Sequence, residues 1–164
     1  NQTQVITGLQ SYLANPFKPG PHQMAVDGFG NVYVADSGRH CVKKYNSAGV
    51  LLSIVAGTCD SSGNSPDGVL AENSFLNTPY GLALDGRGSL FIMDNGNNLI
   101  RRLDLTTGIL SIIAGGGSNT AGDGILAREV SLNLLYSTGL TADSRGDLYI
   151  ADESNHRVRK IFWQ

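Results

Sequence analysis

One stretch of sequence occurs three times in this chain at a constant spacing of 58 residues. It runs Pro21–Tyr45 (PHQMAVDGFGNVYVADSGRHCVKKY), Pro79–Leu103 (PYGLALDGRGSLFIMDNGNNLIRRL) and Ser137–Ile161 (STGLTADSRGDLYIADESNHRVRKI). Asp27, Asp85 and Asp143 keep the interval, as do Asp36, Asp94 and Asp152. A fixed period means one supersecondary unit used repeatedly, and such a unit cannot bury its own faces without neighbours. The repeat therefore constrains the fold before any local propensity does. Residues present in every copy are expected to be scaffold.

Each copy reads as short apolar runs between turn residues, which is a strand pattern. In the second copy the runs are 81–85, 90–93, 99–103 and 109–114, separated by Asp-Gly, Asn-Gly and Thr-Gly turns. Four antiparallel strands joined by hairpins describe one blade of a β-propeller. The predicted fold is all-β, a single domain over 1–164 with blades at about 21–56, 79–114 and 137–161. The long linkers, Gly57–Asn77 and Gly115–Tyr136, share an Asp-Gly-apolar-Leu-Ala signature and are expected to hold a short helical turn each.

Asn155-His156-Arg157-Val158 following Leu148–Asp152, Gly81–Asp85 and the Ala-Gly…Asp-Gly…Ala linkers resemble the NHL-repeat family of β-propellers. The first copy departs with Arg39-His40-Cys41 and the second with Asn97-Asn98-Leu99. The resemblance implies a mostly six-bladed architecture that binds protein or RNA, with a minority of enzymes such as the peptide-amidating lyases.

The frame of the repeats suggests how such a chain is completed. Thr3, Gln4, Val5, Ile6, Thr7 and Gly8 resemble Leu110–Gly115 and read as a fourth strand without the preceding three. The last copy stops at its third strand. The strand order is then d-abcd-abcd-abc, half of a six-bladed ring or one unit of an open assembly. Three blades are too few to close, since propellers have about 4–8. The expectation is that residues 3–8 pair with the edge Val158, Arg159, Lys160 and Ile161 of a neighbouring copy, giving a dimeric ring or a head-to-tail fibre. The other expectation is that the chain is part of a longer polypeptide carrying the remaining blades.

Chemistry is sparse. Asp36, Asp94 and Asp152 with His40, Asn98 and His156 form a repeated set best read as a turn network, because Asn98 stands where the others have His and a carboxylate at a strand end accepts backbone N–H groups. No catalytic residue, cofactor or metal site is assigned. The run Asp60–Asp67 is rich in oxygen ligands and is a candidate for Ca²⁺, although it matches no defined loop. The paired basic residues Lys43-Lys44, Arg101-Arg102 and Arg159-Lys160 are expected to place their stems between blades. With a net charge of −2 and no exposed aromatic series, nucleic acid is not expected as a partner. No apolar run approaches the ~18 residues of a membrane span. Cys41 and Cys59 are a disulfide candidate if the linker folds back over the blade, and Asn1 opens a glycosylation sequon. A disulfide favours a secreted or extracellular setting, in which the sequon could be used.

Overall fold

A computed structural model describes residues 20–120 and 124–163. Three antiparallel sheets follow one another along the chain. The first contains β1 (Pro21–Val26), β2 (Val32–Asp36), β3 (Cys41–Tyr45) and β4 (Leu51–Ala56). The second contains β5 (Val69–Leu70), β6 (Pro79–Leu84), β7 (Ser89–Asp94), β8 (Leu99–Asp104) and β9 (Ile109–Gly115). The third contains β10 (Leu140–Ala142), β11 (Leu148–Asp152) and β12 (Arg157–Ile161). These are the blades of a β-propeller, each a meander of neighbouring strands. No helix among the described residues is long and apolar enough to cross a membrane.

The turns explain why the strands fall where they do. Asp27, Asp85 and Asp143 open the first hairpin of each blade. One oxygen of each accepts two main-chain N–H groups, from Phe29 and Asn31, Arg87 and Ser89, and Arg145 and Asp147. After the second strand a single 3-10 turn reverses the chain, closed by a residue in the left-handed region: His40 (φ 60°), Asn98 (φ 54°) or His156 (φ 53°).

The second sheet departs from the four-stranded expectation. Its extra strand, β5, belongs to the linker that leaves the first blade, and it pairs with β9 of the second. The Val-Leu of the shared linker signature thus adds an outer strand to the next blade. The 3-10 turns Ala71–Asn73 and Ala127–Glu129 follow the same signature.

The core lies between sheets. Tyr33, Ala35 and Val42 of the first blade meet Leu82, Ile92 and Leu110 of the second. On the opposite face of the second blade, Phe91, Met93 and Ile100 meet Leu140, Leu148 and Ile150 of the third. Period-2 alternation therefore sends successive residues of one strand into two different interfaces. The first strands approach closely: a Cβ on Gly81 would lie 3.2 Å from both the Thr138 carbonyl and Leu140 Cβ.

Candidate functional site

The repeated aspartates are buried anchors at the blade rim. Asp94 Oδ2 accepts from Arg101 Nε at 2.7 Å and from Asn97 Nδ2 at 2.8 Å, and Oδ1 accepts the Asn77 N–H at 2.7 Å. Asp152 repeats the set with Arg159, Asn155 and the Asn133 N–H. Asp36 has the Lys43 ammonium at 2.5 Å and, among the described residues, no main-chain or amide N–H on either oxygen. Burial pushes the Asp94 carboxyl above its ordinary range, and the Arg101 charge opposes that push. These contacts revise two expectations. Asp94 and Asp152 hold the incoming linker as well as the turn beside them, through Asn97 and Asn155. The first member of each basic pair is the ion-pair partner of the aspartate seven residues earlier, buried for Lys43 and Arg101 and partly buried for Arg159, not a stem reaching out between blades.

The left-handed residues complete the rim. His40 Nδ1 accepts the Thr78 N–H at 3.0 Å, and Asn98 Oδ1 accepts the Leu134 N–H at 2.9 Å. His22 stacks on Tyr80 with ring centroids 3.9 Å apart. His22 and His40 thus serve separate local contacts, and His156 borders a cavity on the third blade. Among the described residues no three His, Cys, Asp or Glu side chains gather as a metal site would need.

In the candidate calcium loop the oxygens face cations already. Asp60 pairs with Arg39 at 2.6 Å, the Asn64 side chain and Ser65 carbonyl accept from Arg101, and Asp67 accepts from the Ile112 N–H and Arg128. A divalent cation would have to displace three guanidinium groups.

Cys41 and Cys59 are joined in a disulfide, with Cα atoms 5.1 Å apart. The simple pairing of Tyr45 with Val50 leaves Cys41 too far from Cys59. In the structure Tyr45 lies opposite Leu51 and Val42 opposite Ala56, because two bulges advance β4 past β3. Each extra residue on the bulged strand shifts its register toward the cysteine.

Asn1 and residues 3–8 lie outside the described residues. Val158–Ile161 lie in β12, the edge strand of the third sheet. Position by position, this blade shows an open flank. Val158 is 73% exposed where its counterpart Ile100 is 0%, and Thr141 is exposed where Ala83 is buried. The far flank of the first blade is mixed. Val34 and Tyr45 at its centre are buried, while Met24 is 56% exposed against 2% for its counterpart Leu82.

A cavity of about 530 Å³ opens on the third blade's flank, bordered by Thr138, Ala151, Glu153, His156, Arg157 and Val158. Sequence reasoning assigned His156 to the turn network but passed over Glu153. The signal was available: Glu153 occupies the place of Ser37 and Asn95, which are both donors.

The NHL repeat family profile matches residues 19–45 and 136–161. The mouse (Mus musculus) NHL repeat-containing protein 3 is 30% identical over 146 residues, covering 85% of this chain and 38% of that protein. An auxiliary nutrient binding protein from Bacteroides ovatus superimposes with a TM-score of 0.67 at 25% identity, covering 88% of this chain and 37% of that one. Virginiamycin B lyase from Staphylococcus aureus superimposes with a TM-score of 0.56 at 17% identity, covering 87% and 38% respectively, a likeness of fold alone. The chain thus spans less than two fifths of the length of each of these relatives.

Proposed function

Because this chain belongs to the NHL-repeat β-propeller family, we propose that it is a non-enzymatic interaction module, an arc of blades that works by docking further blades on its flanks. The observation that carries this reading is the exposure of Val158 at a repeat position where Ile100 is fully buried. The two residues occupy the same place on the same kind of strand. A facing blade and a fourth strand, both present at Ile100, distinguish their surroundings. The edge of β12 adds main-chain donors and acceptors that β8 has already spent on β9.

In this reading a second copy supplies the missing neighbour, with residues 3–8 pairing along β12. A closing rotation gives a two-copy ring, and a non-closing one gives a fibre. The disulfide favours an oxidising, extracellular setting. The non-enzymatic assignment rests on the repeated carboxylates, which are committed to buried cations and linker amides. A second reading has the remaining blades in the same polypeptide, forming a ring that binds a ligand as the nutrient binding protein's description states for that protein. It is favoured by the length of the relatives.

Sedimentation velocity separates the two. The self-assembly reading expects a mass of at least twice 17.4 kDa that falls to the monomer in Val158→Asp. A monomeric wild-type chain overturns it in favour of blades supplied in cis.

A further inference from the structure

The two filled linkers show what a blade rim receives. In the first blade, His40 Nδ1 accepts the Thr78 N–H and Ser37 Oγ donates to the Pro79 carbonyl at 2.6 Å. In the second, Asn98 Oδ1 accepts the Leu134 N–H, and Asn95 Nδ2 donates to the carbonyls of Leu134 and Ser137 at 2.5 and 2.7 Å. Each rim thus offers one acceptor at the left-handed position and one donor just after the aspartate. The third rim keeps the acceptor position in His156 but carries Glu153 in place of the donor. An ionised carboxylate only accepts. The linker that suits the first two rims therefore does not suit the third.

We infer that the 530 Å³ cavity on the third blade is a socket for the segment Phe17-Lys18-Pro19-Gly20-Pro21 of a second copy. The inference rests on the reading that the flanks dock, and it names a contact distinct from the edge pairing of residues 3–8. Three observations support it. First, subtracting the 58-residue period from Phe75-Leu76-Asn77-Thr78-Pro79 gives this segment, with Phe and the final Pro unchanged. Gly20 takes the place of Thr78, whose N–H donates to His40. Its N–H is then the donor for His156. Second, the segment's one charge is Lys18, and Glu153 has no ion-pair partner among the described residues. Arg157 in the same wall already donates to the carbonyls of Asn155 and Thr120. Third, Pro19 stands where Asn77 donates its N–H to Asp94. Proline has no such group, and Asp36, the counterpart of Asp94, has Lys43 beside it but receives no main-chain N–H among the described residues.

The test uses the full chain and a capped peptide of residues 15–22, with a capped peptide of residues 74–80 as the comparison. If the chain is monomeric, the 15–22 peptide shifts the amide resonances of Glu153 to Val158 in a titration followed by NMR. If it self-associates, the same peptide competes and drives it toward the monomer. His156→Gly keeps the left-handed backbone and removes the acceptor. It weakens peptide binding, or self-association, about tenfold, as the loss of one such hydrogen bond of about 1.4 kcal/mol does. His156→Asn retains binding, as Asn98 does in the second blade. Glu153→Asn restores the donor and turns the preference toward the 74–80 peptide. Folding of each variant is checked by its dispersed NMR spectrum.

Absence of binding and of competition overturns the inference, and so does binding that neither His156→Gly nor Glu153→Asn alters. A monomeric chain that binds the 15–22 peptide removes self-assembly but keeps the socket. A self-associated chain indifferent to the peptide and both variants does the reverse.

Discussion

The second and third blades are the same repeat in two surroundings. In the second, β8 is covered on both faces and paired on both edges, and Ile100 and Arg101 are fully buried. In the third, β12 is an edge strand, Val158 is largely exposed, and Arg159 keeps its Asp152 partner at 2.6 Å with part of its side chain in solvent. Secondary structure and ion pair persist without a neighbour, and burial does not. The intrablade network thus builds the blade, and the apolar faces decide what the blade joins.

The largest expected effect breaks the ion pair in the covered blade. Arg101→Ala leaves Asp94 as a buried charge without its cation and should cost about 3–5 kcal/mol in urea unfolding. Arg159→Ala should cost less, because water reaches that site. Equal losses would mean that the open flank is covered in solution.

Next comes the apolar pair. Ile100→Ala should cost about 2–5 kcal/mol, whereas Val158→Ala in a monomeric chain should stay within about 0.5 kcal/mol. The same unfolding experiment reads both. A Val158→Ala loss approaching that of Ile100→Ala would identify a filled flank.

The smallest effect concerns the turn after the third strand. In the second blade Asp104 accepts the N–H groups of Thr107 and Thr106, which hold its carboxyl below the ordinary 3.8. The third blade has Phe162 at that place. A carboxyl lowered by folding adds stability that is present above its unfolded value and is lost as pH falls through the lower folded value. Asp104→Asn should therefore melt slightly below the wild-type chain at neutral pH, with the difference vanishing as pH falls through the folded value, so that its acid limb is flatter. An unaltered acid limb would show that the turn does not contribute.

Much of this was legible in the repeat. The period fixed the blades, and the Asp-Gly and left-handed positions fixed the hairpins, because both depend on residues close in sequence. The bulges between β3 and β4 were not legible, since alternation gives no sign of which residue will be left unpaired. The pairing of Asp94 with Arg101 was missed for a related reason. The two lie seven residues apart along the chain, and only the antiparallel return of β8 beside β7 brings them together. The outer strand β5 was hidden because Val69 and Leu70 are too few to show a period.

By itself the sequence determined that this chain is made of three equivalent β units, since a constant spacing of apolar runs and turn residues admits one repeated meander. It also marked Asp36, Asp94 and Asp152 as scaffold by their recurrence. The tertiary structure decided which copies of a position are buried. Val158 and Ile100 are interchangeable as strand residues, and burial depends on what lies across the interface. It also decided that Glu153 and His156 border a cavity, because the strands and turn of the third blade bring them beside Thr138 and Ala151.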